Sequence, residues 1–270
     1  MPDAFSQLVP LALGWSLVLF RVAGIFVMAP LISGVVVPAR VKAAIAITLA
    51  CAAFPLVGKT NSVDPNLDVF SLITLIVAEV LIGFTIGTIA SVPMMMMELA
   101  GVLSGTTMGM GLSRVYDPQR DAEVDLLGQF FFFIASGVFL AMGGLESIFR
   151  ALLASFERIP IGATSSAIAS APSAGEIVTG IIASGFELGV RISAPVIAIV
   201  FLVIVLMGVV GKTMPALNVL SVGFAIKVLL GTLMLAWGLY ALREPIAEAT
   251  HEALMSAESW VAGLHHPTTQ

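Results

Sequence analysis

The stretch from 69 to 93, VFSLITLIVAEVLIGFTIGTIASVP, holds one charged residue, Glu79, in a run long enough to cross a hydrocarbon core of roughly 30 Å as a helix. It continues from 94 to 118 as MMMMELAGVLSGTTMGMGLSRVYDP. There a second acid, Glu98, joins methionines and glycines at 101, 105, 109 and 111. A face that meets only lipid needs no such mixture. The first half of the stretch is built to span, and the second to pack closely and to bend.

Similar apolar runs lie near 9 to 32, 43 to 57, 126 to 153, 177 to 211 and 213 to 242, with 94 to 111 a weaker one. Of 270 residues, 59% are hydrophobic and 11% charged, and mean hydropathy is +1.06. Soluble domains carry about a quarter charged residues, so this chain cannot cover itself with polar surface. Backbone groups in lipid must pair within their own segment, and no alternating ten-residue pattern suggests a barrel. The expected fold is all-α and polytopic.

A net charge of −5 argues against nucleic-acid binding by the chain as a whole, and no basic cluster suited to gripping anionic lipid is present. The opening MPDAFSQLVP lacks the basic start of a signal peptide and is expected to remain as the approach to the first helix. Cys51, the single cysteine, can form no intrachain disulfide and reads as a small buried hydrophobe. In the loops, Arg40, Lys42, Arg114, Arg120 and Lys212 can share one side, opposite Lys59 and Arg158, provided that 94 to 111 does not cross.

Polar connectors at 58 to 68, 113 to 125 and 157 to 176 divide the chain. The last separates a helical first half, 1 to 156, from a long hairpin, 177 to 242. That hairpin turns near Lys212, Pro215 and Asn218, and the proline can be tolerated at a helix start. The tail, 243 to 270, has Ile246, Ala249, Ala253, Ala257, Trp260 and Leu264 at spacings of three and four. It is expected to form an amphipathic helix, lying on a surface or partner or packed on its own protein.

Catalytic signatures fail. Gly-Lys-Thr at 58 to 60 and 211 to 213 lacks the earlier glycine of a phosphate loop, having Ala53 and Leu206 in its place. His251-Glu252 opens a zinc-protease pattern that Met255 breaks, and His265 and His266 have no further ligands to complete a metal site. No enzyme, cofactor or metal is expected.

Ionisable groups within apolar helices need a partner or an aqueous path. Arg21, Glu79, Glu98, Glu146, Arg150, Glu187, Arg191 and Lys227 are such groups. Glu146 with Arg150 and Glu187 with Arg191 stand four apart in the acid-first order, so local pairing is expected. Arg21, Glu79, Glu98 and Lys227 have no such neighbour and must face other helices, other subunits or water. Arg21 with Glu79 is one interhelical pairing open to them. Gly83 with Gly87, and Gly101, Gly105 and Gly109 in tandem, form small-residue strips that let backbones approach.

Phe20, Arg21, Gly24, Pro30, Val37, Pro38, Arg40 and Ala44 resemble the opening of the FliR/SctT family of flagellar and type III secretion export-gate proteins. The agreement continues in order through Ala78, Glu79, Gly83, Gly87, Ala100, Gly101, Leu103, Gly105, Gly109, Gly111, Asp117 and Pro118. It goes on through Ser155, Phe156, Pro160, Gly162, Ala194, Pro195, Pro215, Leu217, Asn218, Val219, Gly223 and Lys227. Ala216 departs from the family, which often has glutamine there.

The resemblance implies a FliP-like first half and a FliQ-like hairpin. It also implies a subunit that, with FliP-like and FliQ-like proteins, builds an inner-membrane gate for unfolded substrates, beside FlhB-like and FlhA-like components. It further implies a pore-plug loop at 109 to 120, including Gly109, Met110, Gly111, Leu112, Arg114, Tyr116, Asp117 and Pro118. A flagellar gate is favoured over its virulence counterpart. A self-contained small-molecule transporter or channel is the alternative from another class, though no inverted repeat with broken helices supports it.

Overall fold

The computed structural model describes residues 2–29, 37–57, 68–110, 125–161, 173–214, 218–241 and 243–263, and among these no strand occurs. The helices are α1 (Pro2–Met28), α2 (Ala39–Ala53), α3 (Val69–Met108), α4 (Leu126–Ala141), α5 (Gly144–Arg158), α6 (Ser173–Thr213), α7 (Val219–Ala241) and α8 (Arg243–Gly263). Val9–Met28, Val69–Met108, Thr179–Thr213 and Leu220–Trp237 are long and apolar enough to cross a membrane; α4 with α5 adds a fifth if that bent pair is one span. The protein is a polytopic helical membrane protein.

Two expected boundaries differ. The runs 69 to 93 and 94 to 111 are one helix, α3, which continues through Pro93. Proline removes one backbone donor, a loss that helices among other helices can absorb. The expected helix 126 to 153 is instead broken at Met142 and Gly143, where Gly143 adopts a left-handed φ of 73° that few other residues accept.

The chain divides into two compact units. Unit 1 comprises Met1–Val92, Leu140–Ile182 and His251–Gln270, and unit 2 Pro93–Phe139 and Ala183–Thr250. These do not follow the chain-order division at 157 to 176, because α3 and α6 each run on from one unit into the other.

In unit 1, α1 packs against α2 and α3. The α1 and α3 backbones cross at contact distance: a Cβ on Gly24 would strike the carbonyl of Val80, one on Gly83 that of Arg21, and one on Gly87 that of Ile25. Here the strip of small residues has a definite occupant, with Gly24 its counterpart on α1. Cys51, expected inside, is exposed, because α2 buries Ala46, Ala50 and Ala53 instead.

In unit 2, the glycine contacts repeat with other partners. A Cβ on Gly101 would meet Gly128 and the Leu127 carbonyl of α4, and one on Gly189 of α6 would lie 2.9 Å from the Met96 carbonyl. Asp125 starts α4 as an N-cap, its Oδ1 accepting from the N–H of Leu127 at 3.0 Å and of Gly128 at 3.2 Å. Met94 and Met97 are buried and Met95 is exposed. In the part of the tail helix α8 that belongs to unit 1, Ala253 and Ala257 are buried and Met255 is exposed.

Candidate functional site

A closed charge site lies in unit 1. Arg21 of α1 is fully buried, and its Nε donates to Glu79 Oε2 of α3 at 2.5 Å. Its Nη1 donates to Ser155 Oγ of α5 at 3.1 Å, and its Nη2 to the carbonyl of Ile159, just past α5, at 3.1 Å. Ser155 can accept that bond because its own proton goes to the Leu152 carbonyl at 2.6 Å. The Phe156 ring lies beneath the guanidinium, 4.3 Å from Cζ to the ring centroid, adding a cation–π contact.

Three helices are thereby tied to one cation. An ionised group at bilayer depth costs about 2.5 to 3.5 kcal/mol on insertion scales, and this arrangement supplies what offsets it: an opposite charge and directed acceptors. The glycines set the geometry. Gly83 lies one turn beyond Glu79 on α3 and brings that helix against the Arg21 carbonyl, so carboxylate and guanidinium meet without either side chain over-reaching.

An open charge site lies in unit 2, where α3 ends. Gly109 terminates α3 with φ 89°, and Phe224 of α7 stands 3.5 Å from where its Cβ would be. Met108 lies over Gly231 of α7, so closely that a Cβ there would displace the thioether. Met207 of α6 lies near Gly223 with more room: a Cβ there would make ordinary contact with it at 3.4 Å. Asn218 caps α7, its Oδ1 accepting from the Ser221 N–H at 3.3 Å. A cavity of about 710 Å³ remains among these groups, with Lys227 in its wall.

Of the charges singled out by sequence, Arg21 and Glu79 are buried and meet each other. Glu98, Glu187 and Arg191 are instead exposed on this chain, and Lys227 is half-buried. Among the described residues nothing covers the first three, so other subunits or water are what they can face. Glu146 and Arg150 pair at 2.6 Å on the exposed face of α5. Glu187 and Arg191 have the same spacing yet form no ion pair with each other among the described residues; both line a shallow cavity with Phe186 and Val190. Spacing permits a surface pair but does not hold two long side chains in one geometry.

Lys212 is exposed at the end of α6 and Asn218 begins α7, while Pro215 lies outside the described residues. A Cβ on Gly105 would lie 3.0 Å from the Asp125 carboxylate. Of the expected plug loop, Gly109 and Met110 are described; Gly111, Leu112, Arg114, Tyr116, Asp117 and Pro118 lie outside. Among the described residues no three His, Cys, Asp or Glu side chains gather to hold a metal ion.

The family of bacterial export proteins, family 1, matches residues 12–253. The chain is 29% identical over 235 residues to the flagellar biosynthetic protein FliR of Bacillus subtilis, covering 85% of this chain and 87% of that protein. It is 26% identical over 216 residues to FliR of Aquifex aeolicus, covering 80% and 81%. A shorter similarity, 34% over 95 residues and 35% and 37% of the two chains, links it to the secretion system apparatus protein SsaT of Salmonella typhimurium.

Proposed function

This chain belongs to the bacterial export proteins of family 1, and we propose that it is a structural subunit of the flagellar type III protein export gate. In this reading it joins FliP-like and FliQ-like subunits in the inner membrane at the flagellar basal body. Together they form the channel for unfolded export substrates, next to FlhB-like and FlhA-like components. Residues 1–156 take the FliP-like part and 177–242 the FliQ-like part, and the chain performs no catalytic step.

The observation that carries the reading is similarity along most of the chain to flagellar export proteins. The surface agrees with it. On α6 and α7, Phe201, Val209, Leu220, Leu229 and Trp237 are at least 60% exposed, on helices whose most apolar windows are only 17% buried. So much apolar area needs lipid or other subunits as cover.

The test is co-expression with the FliP-like and FliQ-like proteins of the same cell, followed by affinity capture of this chain from detergent. Both partners should be captured with it, and deletion of the chain should abolish flagellar export. Capture of this chain alone, with export intact in the deletion strain, would sink the reading.

Similarity to SsaT favours one second reading, a subunit of a virulence secretion gate. Loss of swimming in the deletion strain separates the two. The segment 109–120 is proposed as the pore plug. Replacing Met110 and Leu112 by serine should leave the complex assembled and make cells leak small solutes, and intact assembly without leakage would make the segment a connector only.

A further inference from the structure

The outward face of α6 in unit 2 carries two charges of opposite sign. Gly189, Ile192, Val196, Val200 and Val203 recur at spacings of three and four and are buried. At about 100° per residue, Glu187, Arg191, Ala194 and Ala198 fall within about 60° of one another on the opposite side, and all four are exposed. A Cβ on Gly189 would lie 2.9 Å from the Met96 carbonyl of α3, so α3 stands behind this face and not over it. Among the described residues Glu187 and Arg191 have no ion pair and no hydrogen bond. With Ala183, Phe186 and Val190 they line a recess of about 400 Å³. Phe201, on the same face, is 66% exposed, and the most apolar window of this span is only 17% buried, so the stripe calls for cover.

We propose that this stripe is the docking face for one apolar helix of a different gate subunit, which brings a Lys or Arg into the recess to Glu187 and an Asp or Glu level with Arg191. The proposal rests on the assembly reading above. Ala194 and Ala198 let the two backbones approach, and a long cationic side chain can lay its stem along Phe186 and Val190 while its head meets the carboxylate. Two unspent charges four residues apart also fix the register, because a slip of one turn in either direction sets like charge against like. Lipid phosphate is a poorer occupant, since it would satisfy Arg191 but be repelled by Glu187 one turn away.

A second copy of this chain does not fit. Copies inserted the same way and paired in register set Glu187 against Glu187 and Arg191 against Arg191. Displacement by one turn forms one pair and leaves the other two charges opposite Ala183 and Pro195, in a head-to-tail contact that does not close between two chains.

The experiment exchanges the two charges, Glu187→Arg with Arg191→Glu, in cells that co-express the neighbouring gate subunits, and captures this chain from detergent. The exchange keeps the composition and still permits pairing along the helix, so a pair that serves only this chain survives it. Against a partner both contacts become repulsive, and captured partner should fall at least about tenfold below wild type, with Glu187→Gln and Arg191→Gln each several-fold lower. Basic and acidic residues of the partners' apolar helices are then exchanged pairwise, and one such exchange should restore capture by the swapped chain.

Purified alone, the swapped chain should unfold within about 2 °C of wild type, because an exposed pair contributes little. Wild-type capture of partners by the swapped chain would overturn the docking face and assign the charges to water, lipid or each other, while leaving the gate reading intact. So would a loss of stability in the isolated single variants that matches their loss of capture, or failure of every exchange in the partners to restore it. A wild-type chain that captures only itself would overturn both.

Discussion

In unit 1 the guanidinium of Arg21 has Glu79, Ser155, the Ile159 carbonyl and the Phe156 ring, all from this chain; in unit 2 the ammonium of Lys227 faces a cavity. Both cations sit well inside apolar helices. One is spent on holding three helices together, and the other remains available to whatever covers α7. Glycines of both kinds occur in each unit. Gly24, Gly83 and Gly87 of unit 1 and Gly101 and Gly189 of unit 2 each stand against a backbone carbonyl, whereas Gly180 of unit 1 and Gly137 and Gly208 of unit 2 have nothing within 4 Å among the described residues. A charge or a small residue in a membrane helix thus reveals its task only through its neighbours: internal closure in one region, an unfilled contact in the other.

The sharpest way to break this contrast is at Arg21. Replacing it by methionine leaves the buried Glu79 without its guanidinium, and loss of one partner of a buried pair typically costs about 3 to 5 kcal/mol. The isolated Arg21→Met chain should therefore unfold far below wild type in thermal denaturation. Adding Glu79→Gln should recover part of the loss. A double variant no better than the single one would mean that the pair is not what closes unit 1.

Glycine substitutions come next. Gly83→Ala should destabilise the isolated chain by about 1 to 3 kcal/mol, the usual range for overpacking, because the new methyl group meets the Arg21 carbonyl. Gly208→Ala should stabilise it by roughly 0.5 kcal/mol, since alanine suits a helix interior better than glycine and the site is empty. Thermal unfolding of both reads the sign, and two losses of equal size would erase the distinction between filled and unfilled contacts. The smallest effect is expected at the exposed Glu146 and Arg150 pair, where Glu146→Gln should change stability by no more than about 0.5 kcal/mol.

The sequence made the helices legible because uncharged runs of membrane length have few other uses. It also offered Arg21 with Glu79, because two ions in apolar runs need each other. It did not reveal Ser155 and the Ile159 carbonyl as further partners of Arg21, since a serine and a backbone oxygen that distant in sequence carry no periodic signal. Two boundaries went the other way. The change of composition after 93 made one helix, α3, read as two segments, and an unbroken apolar run hid the left-handed glycine that divides α4 from α5. Gly128 went unnoticed because the reciprocal half of a glycine contact need not repeat every fourth residue. Asp125 read as part of a polar connector until its bonds to the start of α4 made it a cap.

The claim that unit 2 is completed by other subunits is tested most directly by native mass measurement of this chain. It would be extracted from membranes with and without co-expressed FliP-like and FliQ-like neighbours. A hetero-oligomer holding this chain with its neighbours is the predicted result, with no defined oligomer of the chain when it is expressed alone. A stable homo-oligomer of unchanged mass in both preparations would contradict the account and point to a self-contained transporter or channel.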